Sequence, residues 1–379
     1  MEFDAAIRPC PDYGPETVRK ALRAALEPLG GLDWVTPGMR VAIKANLVTF
    51  MKPESAATTH PELLLALCEL LAEKGAVVTV GDSPGGPWNA AAVNVVYNAT
   101  GVRAVERAGA ALNKDFGQRE VSFPEGQVCK SFPFTTWLDE ADAVVDFCKL
   151  KTHGLTAMSC AVKNLFGVIP GTRKPEFHYL YPQIEQFSNM LVDLNEYVKP
   201  RLAIVDAVEC MEGNGPTQGT PRHMGAIVAA PSTYMADLLC ASLIGLDRET
   251  CPTVAAAAAR GLCPGDAAEM RISGDPAPFR EPDFEKVPLR GGVEFFGQSK
   301  LVLAFLNRCF GAYPKVDKSK CVGCGKCADT CPMKTIRLKN GKASIGRGSC
   351  IRCFCCQEFC PKGAITVGRT PLAKIAAKF

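Results

Sequence analysis

Residues 321–332 read CVGCGKCADTCP, and residues 350–361 read CIRCFCCQEFCP. Each half is C-x-x-C-x-x-C-x-x-x-C-P. Zinc sites pair two C-x-x-C hooks or combine cysteine with histidine, and no histidine lies in this stretch. Two copies of a four-cysteine run, each closed by Cys-Pro, are far harder to obtain by accident than a single C-x-x-C. The duplication continues past the cysteines, since Cys331-Pro-Met-Lys-Thr-Ile-Arg-Leu matches Cys360-Pro-Lys-Gly-Ala-Ile-Thr-Val. Each half therefore passes through a proline turn into a short strand. Between the halves, Asn340-Gly341 separates two β-prone runs and predicts a hairpin, because both central turn residues need positive φ.

This pattern resembles bacterial two-cluster ferredoxins from Tyr313 to about Gly368. The resemblance implies two [4Fe–4S] clusters. In that pattern three closely spaced thiolates hold one cluster, and the remote fourth cysteine serves the other. Carried over, it gives Cys321, Cys324, Cys327 and Cys360 to one cluster and Cys350, Cys353, Cys356 and Cys331 to the second. Cys355 is surplus; packing or sulfur hydrogen bonding is its expected role, and competition with Cys356 as a ligand is the alternative.

A chain of 379 residues is long for one domain. The expected division is an α/β domain over 1–278, a linker with a docking helix over 279–311, the ferredoxin domain over 312–370 and a tail over 371–379. No apolar run approaches the roughly 20 residues needed to span a bilayer. The opening Met1-Glu-Phe-Asp is acidic and lacks a signal peptide's basic and apolar regions. A cytoplasmic protein without membrane attachment is the expectation. The 19 cysteines suit a reducing compartment. The net charge of +4 hides an asymmetry: residues 312–379 carry 14 Lys and Arg against 3 Asp and Glu, and the remainder 29 against 36. The basic module either faces an acidic surface, its own large domain or a partner, or offsets anionic clusters.

Upstream, helical spacing over 15–29, 61–74, 89–99, 102–108, 158–166, 184–198, 233–244, 251–260 and 295–310 alternates with apolar strand-like runs. Those runs lie at 39–48, 76–80, 141–147, 202–205, 225–230 and 269–273. Strands apolar on both faces and alternating with helices mean a mostly parallel sheet covered by helices. The predicted fold class is therefore α/β, with a small C-terminal α+β two-cluster ferredoxin-like domain.

Ligands of open α/β sheets bind beyond the carboxyl ends of the strands. Four predicted strands end in polar segments. One gives Lys44 and Asn46, and a second gives Asp82 and Ser83 before Gly85-Gly86. A third gives Lys149, Lys151, Thr152 and His153, with Lys163 and Asn164 just downstream. The fourth gives Asp206, Glu209, Glu212, Asn214 and Thr217. Gathered on one edge, they would suit a small anionic or metal-assisted ligand. Each has a plainer reading: GDSPGG as a simple strand-to-helix turn, His153 as a structural histidine, Lys44 as half of an ion pair, the late carboxylates as solvated.

The segments VAIKANLV (41–48), GDSPGG (81–86), KLKTHGLTAMSCAVKNLFG (149–167) and MEGNGPTQGTPRHMGAIVA (211–229) resemble the Fe–S-centre proteins of domain-of-unknown-function family 362. That resemblance covers roughly residues 40–250 and implies an architecture with a fused two-cluster ferredoxin, but little chemistry. A fainter likeness joins the lysine–histidine loop to nickel-pincer racemases, whose function is not carried over.

The expected function is an iron–sulfur oxidoreductase or electron relay that takes single electrons from a redox partner protein and passes them to the large domain. There Lys151 and His153 act as catalytic groups, His153 being able to donate a proton near neutral pH. Lys44 and Lys163 hold an anionic group, while Asp206 and Glu212 orient a ligand or metal. The rivals are a non-enzymatic carrier, and a protein that handles clusters or metal cofactors. Nucleic-acid binding is disfavoured, because no run of stacking aromatics interleaves the basic residues.

Overall fold

A computed structural model describes residues 2–287 and 313–368. The helix expected at 295–310, the linker beyond 287 and the tail at 371–379 lie outside the described residues.

In the large domain the strands are β1 (Ala5–Pro9), β2 (Arg40–Ala45), β3 (Val77–Gly81), β4 (Ala111–Leu112), the hairpin of β5 (Gln118–Ser122) with β6 (Ser131–Thr135), β7 (Ala143–His153), β8 (Ala157–Ser159), β9 (Leu202–Glu212), β10 (Thr220–Ala230) and β11 (Ile272–Ser273). Nine of these form one sheet in the order β11-β1-β10-β9-β7-β2-β3-β4, with β8 added to β7. The run from β4 to β9 is parallel, and β10 is antiparallel to both β9 and β1. The sheet is thus mixed but mostly parallel, as the apolar strands implied.

Helices α1 (Pro15–Leu26), α2 (Pro61–Glu73) and α3 (Ala90–Thr100) cover one face. The other face carries α4 (Ala161–Asn164), α5 (Lys174–Leu180), α6 (Ile184–Val198), α7 (Thr233–Leu243) and α8 (Pro252–Ala259). Alternation along β7 feeds both cores, with Val145 and Phe147 in one and Cys148 and Leu150 in the other.

Several local expectations change. The strand ending at 147 runs on to His153, so KLKTH is strand rather than loop, held by antiparallel pairing of Lys151–His153 with β8. The helix expected from 158 is replaced by β8 and by α4, only four residues long. The strand expected over 225–230 begins at Thr220, with a bulge between His223 and Ala226. In each case a neighbouring strand supplies backbone partners that local sequence does not reveal.

Tyr313–Gly368 folds around two small antiparallel pairs, β12 (Tyr313–Val316) with β15 (Ile365–Gly368) and β13 (Ile336–Lys339) with β14 (Lys342–Ile345). The latter is the hairpin anticipated at Asn340-Gly341, where both residues have positive φ. Two short helices follow the cysteine runs, α9 (Lys326–Thr330) and α10 (Cys355–Glu358).

One ion pair ties the sheet centre together. Lys149 on β7 and Asp206 on β9 stand opposite each other, 2.8 Å apart and both buried. Asp206 also accepts from the Tyr13 hydroxyl and the His60 amide, each at 3.0 Å. Removing one partner strands a charge in the interior, so Asp206→Ala is expected to lower unfolding free energy by about 3–5 kcal/mol in a denaturant titration. The apolar double replacement Asp206→Leu with Lys149→Met is expected to recover most of that loss.

Candidate functional site

Beyond the carboxyl ends of β2, β3 and β7 lies a small polar pocket. Its wall includes Asn46, Asp82, Ser83, Lys151, His153, Lys163 and Asn164. Seven of the residues singled out in the sequence therefore meet here. Lys44 lies directly behind them, paired with Asp82 at 2.8 Å.

The lysines are held by a buried amide relay. Lys44 Nζ donates to Asn164 Oδ1 at 3.2 Å, and Asn46 Nδ2 donates to the same oxygen at 2.8 Å. Asn46 Oδ1 in turn accepts from Lys151 Nζ at 2.7 Å. Asn164 Nδ2 donates to Asp146 Oδ1 and to the Lys44 carbonyl. Both amides thus serve the scaffold, fixing β2, β7 and α4 to one another. Gly167, at the end of KNLFG, packs over the Lys44–Asp82 pair so closely that a Cβ would collide with both side chains.

Charge in the pocket is unbalanced. Asp82 is spent on Lys44 and on the Leu47 amide. Lys151 has neutral acceptors only, Asn46 Oδ1 and the Ala57 carbonyl. Among the described residues the Lys163 ammonium has neither a hydrogen bond nor an ion pair; it lies over the rings of Phe166 and Phe187, at 4.7 and 5.8 Å. Burial pushes Lys151 down to about 7, with Lys163 adding to the shift, and pushes Lys163 down too. Lys174, which the sequence reading missed, also lines the pocket and is pushed down to about 7 by burial. It donates to the Ser83 hydroxyl and the Ile169 carbonyl. His178 was missed as well. Both fall between the helical runs expected at 158–166 and 184–198, where the sequence suggested no element.

His153 Nδ1 accepts from the amides of Leu155 and Thr156 at 3.1 and 3.3 Å, which puts the ring proton on Nε2. That nitrogen is 3.1 Å from Glu358 Oε1, a carboxylate of the C-terminal module. Burial works to raise the Glu358 carboxyl, but His153, Lys163 and His178 outweigh it and hold it well below the usual range.

The module closes the pocket. Cys355, Glu358 and Phe359 form part of its wall, and Thr217 donates to the Glu358 carbonyl at 3.3 Å. Gln218 and Asn214 bond Gln357. Gly85 of GDSPGG seats the Phe359 ring so tightly that a Cβ there would strike it. Asn214 thus serves the contact between modules, Asp206 the Lys149 pair, and Glu212 lies near Arg222 while accepting from the Glu285 amide. Asp206, Glu209, Glu212 and Asn214 of the expected fourth segment do not line the pocket, because β9 runs on to Glu212 paired with β10; only Pro216 of the following loop reaches it.

Within the module, one cavity is lined by Cys321, Cys324, Cys327 and Cys360. A second is lined by Cys331, Cys350, Cys353 and Cys356, with Cys355 beside them. Backbone amides of Ala343 and Ala364 donate to Cys321 and Cys360 Sγ at 3.3 and 3.2 Å, and the Ala343 bond holds the Cys321 thiol below its usual range. Four thiols to a cavity, with amide donors to sulfur, suit iron–sulfur clusters.

Comparison with known proteins agrees. The family described as Domain of unknown function (DUF362) matches residues 41–242, and a 4Fe-4S dicluster domain matches residues 313–361. The chain belongs to the DUF362 family and carries an iron–sulfur ferredoxin module. It is 35% identical over 265 residues to a thylakoid-associated protein of Synechocystis sp., covering 68% of this chain and 79% of that one. Ferredoxin-2 of Desulfomicrobium norvegicum is 57% identical over 28 residues, 7% of this chain and 48% of that protein. Among solved structures, the lactate racemase apoprotein from Thermoanaerobacterium thermosaccharolyticum aligns with TM-score 0.40 and 12% identity, over 65% of this chain and 58% of that one. A Thermotoga maritima protein aligns with TM-score 0.35 and 16% identity, over 55% and 53%. The chain spans less than two thirds of the ferredoxin and of both solved structures. Among the described residues no helix is long and apolar enough to cross a membrane.

The lysine pKa directions carry a sign for anion binding. Above about 7 the folded protein holds Lys151 and Lys174 largely neutral, and an anion must recharge them. Acetate affinity is expected to fall as pH rises through that value, with proton uptake on binding at about pH 8. Titration calorimetry in two buffers of different ionisation enthalpy reads both effects.

Proposed function

We propose that this protein is an iron–sulfur oxidoreductase in which the ferredoxin module serves a small anionic ligand held at the strand ends of the α/β domain. The reading rests on one short helix: α10 carries Cys355, which lines both the second four-thiol cavity and the lysine pocket. Cys321, Cys324, Cys327 and Cys360 would hold one [4Fe–4S] cluster, and Cys331, Cys350, Cys353 and Cys356 the other. When bound, these clusters supply single-electron transfer.

The chain's own residues do the rest. Lys163 is the ammonium left for an anion, and Lys151 and Lys174 add positive charge around it once protonated. Lys44, Asp82, Asn46 and Asn164 keep those cations in place. His153 presents Nε2–H at the face shared with Glu358 and can hydrogen-bond a ligand, while Lys151 and Lys174, lowered to about 7, are the groups able to give a reduced ligand a proton. Ferredoxin-module lysines such as Lys315, Lys318 and Lys320 offer a redox partner protein a basic surface.

The test begins with anaerobic protein reconstituted with iron and sulfide, reduced, and screened against anionic metabolites for recovery of cluster absorbance. A reactive anion is expected to reoxidise the protein. Lys163→Ala is expected to slow that step by about 10- to 100-fold with iron content unchanged, as befits loss of one charged hydrogen bond. Protein that passes electrons to a partner ferredoxin while no small anion binds or reacts would be a carrier and would defeat the proposal.

A further inference from the structure

The lysine pocket is too small to hold a whole substrate. Its free volume is about 90 Å³, room for an anionic head group, whereas ligand sites usually span roughly 300–1,000 Å³. Beside it lies a groove of about 930 Å³ between α3, α5 and the ferredoxin module. The two spaces share Thr49, Pro84, Gly85, Pro175 and Phe359 in their walls, so they adjoin one another.

The groove has a different chemistry. Eight large apolar side chains are well exposed among the described residues, and Phe50, Val95, Tyr179 and Leu180 of the groove account for four of them. Such clustering marks a binding surface, because scattered exposed apolar residues are the normal case. Cys331, assigned above to the second four-thiol cavity, also reaches the groove. Charged residues near it are of both signs, with Lys326 and Lys334 beside Glu176 and Asp329, and leave no strong charge preference there.

We infer that the ligand is an amphipathic anion, a carboxylate or phosphate monoester whose head meets Lys163 and whose extended apolar chain or ring system lies in the groove. This inference rests on the proposed anion site and adds the body of the ligand to it. A body laid along the groove runs beside the module that would supply electrons, with the head fixed at the end where His153 and Glu358 stand.

Titration calorimetry on the full chain with clusters reconstituted tests this, using acetate, dodecanoate and dodecyltrimethylammonium. Dodecanoate is expected to bind at least tenfold more tightly than acetate, and dodecyltrimethylammonium at least tenfold more weakly than dodecanoate. Two separate groove replacements, Tyr179→Asp and Val95→Asp, are expected to weaken dodecanoate tenfold or more and leave acetate unchanged. Both side chains are more than half exposed, so the fold tolerates them. Lys163→Ala is expected to weaken both anions. Equal affinity for acetate and dodecanoate overturns the amphipathic ligand while the anion site stands. Cationic detergent binding as tightly as dodecanoate overturns it too, since the groove would then be merely greasy. Failure of both anions to bind removes the anion site itself, and this inference with it.

Discussion

A lysine ammonium cannot stay charged in a protein interior unless something replaces the water it has lost. That constraint shapes the edge of this sheet. Lys44, Lys149 and Lys151 are each no more than 1% exposed, and the fold treats them differently. Lys44 and Lys149 receive carboxylates, Asp82 and Asp206. Lys151 receives only an amide and a carbonyl, and Lys163 only aromatic faces. Compensation therefore declines toward the pocket, where charge is least stable and most available to a ligand.

Holding such groups near one another needs a rigid support. The Asn46–Asn164 relay supplies it, with hydrogen bonds running from β2 to α4 and on to Asp146 of β7. Gly167 lets the backbone settle onto the Lys44–Asp82 pair. The motifs VAIKANLV, GDSPGG and KTHG…KNLFG, scattered over more than a hundred residues, are thus parts of one buried polar assembly.

The ferredoxin module then acts as the outer wall. Its α10 and the residue that follows bring Cys355, Glu358 and Phe359 against the strand ends, each with a distinct seat: the second thiol cavity, His153 and Gly85. Glu358 is the only acidic residue of α10, and its carboxylate is kept ionised by the hydrogen bond from His153 and the charge of Lys163. The basic module and the acidic large domain therefore meet locally through a reversed pair, a module carboxylate against cations of the large domain. Whole-chain charge asymmetry did not anticipate this, because net charge says nothing about which individual groups are desolvated at a contact.

What the sequence by itself determined follows from short-range chemistry. Cysteine spacing near one metal cluster is a local matter, so the ferredoxin module was legible from C-x-x-C-x-x-C-x-x-x-C-P alone. Apolar runs alternating with helical spacing sufficed for a mostly parallel covered sheet, and strand ends pointed to most of the pocket. Only tertiary structure decided that Asp206 belongs to Lys149, that Asn214 faces the module, and that Lys174 and His178 complete the pocket. It also decided that KLKTH is strand and that Glu358 meets His153. Those outcomes depend on which distant strand or module supplies the partner for a buried polar group, and sequence separation carries no record of that proximity.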